Sequence, residues 1–77
     1  MNNFKKFLNA NGIVFDENWI NKDWGSLRFT INGKRYVAEV SGRRYQLNIL
    51  RDGSEYFRPI VCNTQKEMVQ MLQSVAF

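Results

Sequence analysis

The sequence predicts an α+β domain: an N-terminal helix, a four-stranded antiparallel β-meander, and a C-terminal helix packed on the sheet. Three observations carry this expectation. The apolar residues recur at helical spacing at both ends of the chain and at a period of two between residues 26 and 61. An Asn32-Gly33 pair separates two alternating stretches, the strongest short signal for a hairpin. A Thr64-Gln65-Lys66-Glu67 run, the pattern of a capping box, precedes the last apolar stripe. No linker, repeat or low-complexity tract divides the 77 residues, which read as a single domain over 1–77.

Taken in order, Phe4, Phe7 and Leu8 give a helix over about residues 3–10. Gly12 stands where a left-handed residue would end it, with Ile13 folding back as the hydrophobic contact. Ile13-Val14-Phe15 reads as a short extended piece, and residues 16–25 as polar and turn-prone apart from Trp19, Ile20 and Trp24. Strands are expected over about 26–31, 34–40, 44–51 and 55–61. A two-residue loop at Asn32-Gly33 sets Phe29 opposite Tyr36 and Leu27 opposite Ala38, so the apolar faces coincide. A second tight turn at Ser41-Gly42 would set Ala38 opposite Tyr45, Tyr36 opposite Leu47, and Glu39 opposite Arg44 as a cross-strand ion pair.

The third turn, around Asp52-Gly53, leaves two parities open. A two-residue loop puts Tyr56, Arg58 and Ile60 on the buried face; a three-residue loop with a bulge buries Phe57, Pro59 and Val61 and turns Arg58 outward. The apolar count favours the second. Pro59, unable to donate to a ladder on both sides, marks the fourth strand as an edge. The closing helix over about 65–76 carries Met68, Leu72 and Val75 on one stripe, widened by Val69, Met71 and Ala76.

Most kinds of chemistry are disfavoured. One cysteine permits no internal disulfide, and the absence of histidine removes the zinc finger and the commonest general base. Cys62 has no activating partner in sequence; a helix start follows it, whose dipole lowers thiol pKa values, but a small residue closing the core is the expected role. Asp16, Glu17 and Asp23 match no cation-loop spacing, and the five glycines form no phosphate-cradling loop. No enzyme, catalytic residue, metal or cofactor is therefore expected, and no small-molecule substrate is implied. Apolar runs reach only three residues, against the roughly 20 a membrane span requires. With no export signal and one thiol, the expected setting is the cytoplasm.

The informative feature is the placement of charge. Between Gly25 and Val61 lie seven basic residues, six of them arginine, and three acidic ones, which accounts for the whole net charge of +4. In the favoured register Arg28, Arg35, Arg44 and Arg58 share the outer sheet face with Thr30, Gln46, Asn48 and Tyr56, a cationic platform suited to a phosphate backbone. Nucleic acid is accordingly the first expected partner. An ordinary solvated face, protected from edge aggregation by its arginines, would read the same way.

The alternative is a protein-binding adaptor or inhibitor of the kind a phage or mobile element encodes. Its anchors would be Trp19, Trp24 and the outer-face residues Val37, Leu50 and Ile60. The two tryptophans are expected to lid one end of the core, and Phe77 to make the last core contact of the helix.

In order of elements alone, the chain resembles the double-stranded-RNA-binding domain, whose second helix opens on a glycine-rich lysine motif. Asn63-Thr64-Gln65-Lys66-Glu67 matches that motif in one lysine only, so no residue role transfers. The sheet-then-helix half is similar to the three-stranded DNA-binding domains of plant transcription factors and phage integrases, with no shared motif.

Overall fold

The computed structural model describes residues 1–50 and 58–77. Its elements are α1 (Asn2–Ala10), β1 (Phe15–Asn21), β2 (Trp24–Ile31), β3 (Lys34–Ser41), β4 (Arg44–Leu50), β5 (Arg58–Cys62) and α2 (Gln65–Ala76). The expected α+β architecture is present, with five strands instead of four. They form one antiparallel sheet in the order β1-β2-β3-β4-β5.

The extra strand is β1, from the segment read as turn-prone. It pairs Phe15 with Phe29 and Trp19 with Gly25, which puts the Phe15 and Trp19 side chains on the core side. Its remaining residues are mostly polar because β1 is an edge strand with one face wet. At β5 the sheet ends in the other edge, as Pro59 requires.

Both helices cover the same face. Phe4 and Leu8 of α1 and Met68 and Leu72 of α2 enter one cluster with Leu27, Phe29, Tyr36, Ala38 and Leu47, all of one strand parity. Phe29 stacks on Tyr36 at 5.5 Å, the cross-strand pair the first hairpin dictates. α1 ends in a Schellman cap: Gly12 takes φ 68°, its N–H donates to the Asn9 carbonyl, and the Ile13 N–H donates to the Leu8 carbonyl. α2 begins with the expected box, since the Glu67 N–H donates to Thr64 Oγ1 at 3.0 Å while the Glu67 carboxylate accepts from the Asn63 N–H. Caps of this kind are worth about 1 kcal/mol. The helices are tied by the Phe4 N–H, an orphan donor at the start of α1, which reaches Gln65 Oε1 at 3.0 Å.

Two register expectations need correction. In the second hairpin the loop is Gly42-Arg43, with Ser41 opposite Arg44, Ala38 opposite Leu47 and Glu39 opposite Gln46, so Glu39 does not face Arg44. The reason is local. A Ser41-Gly42 loop would force Ser41 into a left-handed conformation, whereas the observed turn asks that only of Gly42, at φ 65°.

In β5 the parity is the reverse of the favoured one. Ile60 lies opposite Leu47 and Cys62 opposite Tyr45 on the helix side, while Pro59 and Val61 lie opposite Asn48 and Gln46 on the outer side. Arg58 pairs with Ile49, an inner-face register position, so neither Arg58 nor Ile60 belongs to the outer face. The apolar count could not decide, because both parities offer apolar residues. Cys62 does decide: two residues before the Thr64 cap, it fills the core beneath α2 and is buried. The Asp52-Gly53 turn and Tyr56 lie outside the described residues.

Candidate nucleic-acid interface

The ladder registers place the outer-face residues in successive rows. Trp24, Ser41 and Arg44 share the first; Asn18, Ser26, Glu39, Gln46 and Val61 the second; Asp16, Arg28, Val37, Asn48 and Pro59 the third; Thr30, Arg35 and Leu50 the fourth. Neither helix lies over these rows, as their buried side chains all enter the cluster on the opposite face.

The predicted arginines do not gather in one patch. Arg28 and Arg35 are diagonal neighbours at one end of the face, and Arg44 stands at the other. Ser41 is six residue steps along β3 from Arg35 and four from Val37, so along the strands the Arg44 row lies about 20 Å from Arg35 and about 13 Å from Arg28 at 3.3–3.4 Å per strand residue. All three arginines are exposed. Among the described residues, the salt bridge present is Lys5–Glu17, on the helix side.

The middle of the face is neither open nor cationic. Val37 is only 1% exposed and Asn48 0%. The Asn48 Nδ2 donates to the Val37 carbonyl at 3.2 Å, and its Oδ1 accepts from Gln46 Nε2 at 2.7 Å. Gln46 and Asn48 thus bond each other, and Asn48 is not available to a ligand. Leu50 is half-buried. As anchors for a protein partner, Val37 and Ile60 are excluded by burial and by parity, respectively.

At the Arg44 end, two turns are joined. Asn21 pairs with Trp24 across a Lys22-Asp23 turn; the Asp23 N–H donates to Asn21 Oδ1, and the Asp23 carbonyl accepts from the Gly42 N–H, both at 2.9 Å. Neither Lys22 nor Asp23 takes the positive φ of a primed hairpin turn. A bulge between Trp19 and Asn21 inserts Ile20 as an extra residue, which absorbs the mismatch in twist. The result puts Lys22, Arg43 and Arg44 at the same end of the sheet as two exposed apolar side chains, Ile20 at 81% and Trp24 at 53%. These two line a groove of about 240 Å³ together with Asn18, Ser26, Glu39 and Ser41. At the opposite end a larger groove of about 740 Å³ has Asp16, Arg28, Thr30, Arg35 and Leu50 among its lining residues.

The tryptophans therefore part company. Trp19 is the expected lid: its indole lies over Gly25, donates to Glu17 Oε1 at 2.9 Å and carries the Lys5 ammonium 5.9 Å from its ring centroid. These bonds, from Trp19 first and Lys5 second, hold the Glu17 carboxyl below its usual range. Trp24 is no lid; it faces out. Phe77 departs from expectation too, being exposed and held by one edge-on contact with Phe7 at 6.0 Å. Burial pushes the Cys62 thiol up, and the Glu67 carboxylate adds to the rise, the opposite of an activated nucleophile.

Sequence reasoning missed Ile20, Lys22 and Arg43. Asn21-Lys22-Asp23 carried the turn signal, and Phe15, Glu17 and Trp19 carried the period of two that identifies β1. No helix among the described residues is long and apolar enough to cross a membrane. Comparison with known protein families, with curated protein sequences and with solved structures gave no match.

Proposed function

We propose that this chain is a small non-enzymatic module that binds nucleic acid across its outer sheet face. One observation supports the reading above others. Lys22, Arg43 and Arg44 against Asp23 give +2 at one end of the sheet, Arg28 and Arg35 against Asp16 give +1 at the other, and Glu39 lies on the same face between them. Together they leave +2 on the described outer face and its turns, half of the net charge of +4. Two cationic ends on a face that neither α1 nor α2 covers suit contacts to phosphates of one polyanion.

Titration of labelled DNA and RNA oligonucleotides at about 50 mM and about 200 mM salt tests this. Affinity should fall steeply with salt, since each neutralised phosphate releases counterions. The triple variant Arg28→Glu, Arg35→Glu, Arg44→Glu should not bind. Absence of binding at the lower salt, or binding indifferent to salt, refutes the reading.

The exposed Ile20–Trp24 pair favours a second reading, a protein partner with an acidic rim. It predicts recovery of one protein at stoichiometric level from nuclease-treated lysate, lost on Trp24→Ala. A reducing cytosol is the setting that suits a lone buried thiol.

A further inference from the structure

Resting on the nucleic-acid reading, we infer that the ligand is single-stranded and that one unpaired base stacks on Trp24. The Trp24 indole stands on the outer face, half exposed, with Ile20 across a groove of about 240 Å³. That volume is below the roughly 300 Å³ of small drug-like sites and suits one ring system. Arg44 shares the ladder row of Trp24 and Arg43 stands in the adjoining turn, cations placed for phosphates beside a stacked base. Glu39 is among the groove's own lining residues and favours binding through the ring face over a phosphate seated in the groove.

Shape opposes insertion of this face into a duplex major groove. Five strands at about 4.8 Å spacing make a face about 19 Å across. A B-form major groove about 12 Å wide admits a helix or a two-stranded ribbon, not this sheet. A base inside a duplex has both faces covered by its neighbours and cannot lie on an indole; an unpaired base can. The second cationic group, Arg28 and Arg35, stands about 13–20 Å further along the sheet, where it would take the backbone several nucleotides on.

Intrinsic fluorescence of the full chain decides the matter, because Trp19 packs against the core on the opposite face. Oligothymidylate and oligouridylate of about ten nucleotides, and a mixed-sequence duplex of equal length, are titrated at about 50 mM salt. Both single strands should quench the emission and bind more tightly than the duplex. Trp24→Leu should abolish the quench and weaken single-strand binding about 5- to 150-fold, the worth of one stacked base. Trp19→Phe should keep the quench, and Trp24→Phe should recover part of the affinity. Equal affinity for the duplex, or a quench that survives Trp24→Leu, overturns the inference while leaving nucleic-acid binding intact. No binding of any of the three probes overturns both.

Discussion

Gly25→Ala should destabilise the domain chiefly through Trp19, and the size of the loss can be worked out. A methyl on Gly25 would overlap Cε3 and Cδ2 of the Trp19 indole and would lie 2.8 Å from the Asn18 carbonyl oxygen. The indole cannot simply retreat. It is fixed by the Glu17 carboxylate at its Nε1 and packs against the core. Overpacking of this kind costs about 1–3 kcal/mol. Against it, alanine restricts the unfolded chain more than glycine does, a gain of about 0.4–1 kcal/mol. The clash wins, and the net loss is about 1–2 kcal/mol. In a domain of this size each kcal/mol moves Tm by about 4–8 °C, so a fall of roughly 5–15 °C is expected in a thermal melt followed by circular dichroism. On a Trp19→Leu background the same substitution should cost less, since the indole is gone and only the Asn18 carbonyl contact remains. An unchanged Tm for Gly25→Ala, or an equal loss on both backgrounds, would refute the account of Trp19 as a lid seated on a bare backbone.

Other expectations follow from the same contacts. Because the folded-state pKa of Glu17 is depressed, its contribution to stability is present above its ordinary value of 4.5 and is lost as pH falls through the folded value. The Tm gap between the parent and Glu17→Gln should therefore close between about pH 7 and pH 3, and a constant gap would deny the Lys5–Glu17–Trp19 contact any role. The Cys62 thiol should react with a disulfide reagent far more slowly in the native domain than in urea, and equal rates would contradict its burial. Arg44→Glu and the pair Arg28→Glu, Arg35→Glu should weaken polyanion binding independently, their free-energy losses adding within about 0.5 kcal/mol because about 13–20 Å separates them. A large coupling between them would mean that the cations act as one patch.

Much of the fold was legible because certain residues allow few alternatives. Asn32-Gly33 admits positive φ at both turn positions, and the observed values of 51° and 82° are those of a type I′ turn, so the first hairpin register could be written down from sequence. Gly12 and the Thr64–Glu67 box likewise fixed the helix ends. The second hairpin was less legible, since moving its loop by one residue shifts the pairing by two and leaves every side chain on the same face. The hydrophobic pattern is blind to such a shift; only the backbone demand on Ser41 distinguishes the two turns. β5 failed for a different reason: its parity is set by where α2 begins, a tertiary constraint that no count of apolar residues contains. The candidate site was the least legible part. Trp24 and the arginines were visible as residue types, but Ile20 reaches the outer face beside them through a bulge.

The division of charge between two ends is a consequence of topology. A meander sends alternate turns to opposite ends of its sheet, so the Lys22-Asp23 and Gly42-Arg43 turns meet at one end while Asn32-Gly33 stands at the other. Residues at turns and at the first or last ladder positions keep their side chains in water, and a guanidinium placed there avoids the desolvation that a central row would impose. The central rows instead carry Val37 and an amide pair, Gln46–Asn48, that satisfies itself. Arg28 and Glu39 are the exceptions, standing in the rows of Val37 and Gln46, and both lie beside strands that leave them solvent contact. What turns a structural pattern into a functional one is the indole and isoleucine at one rim only. Charge spacing alone would accept any long polyanion, whereas stacking on Trp24, as proposed above, requires an anion with a flat apolar part.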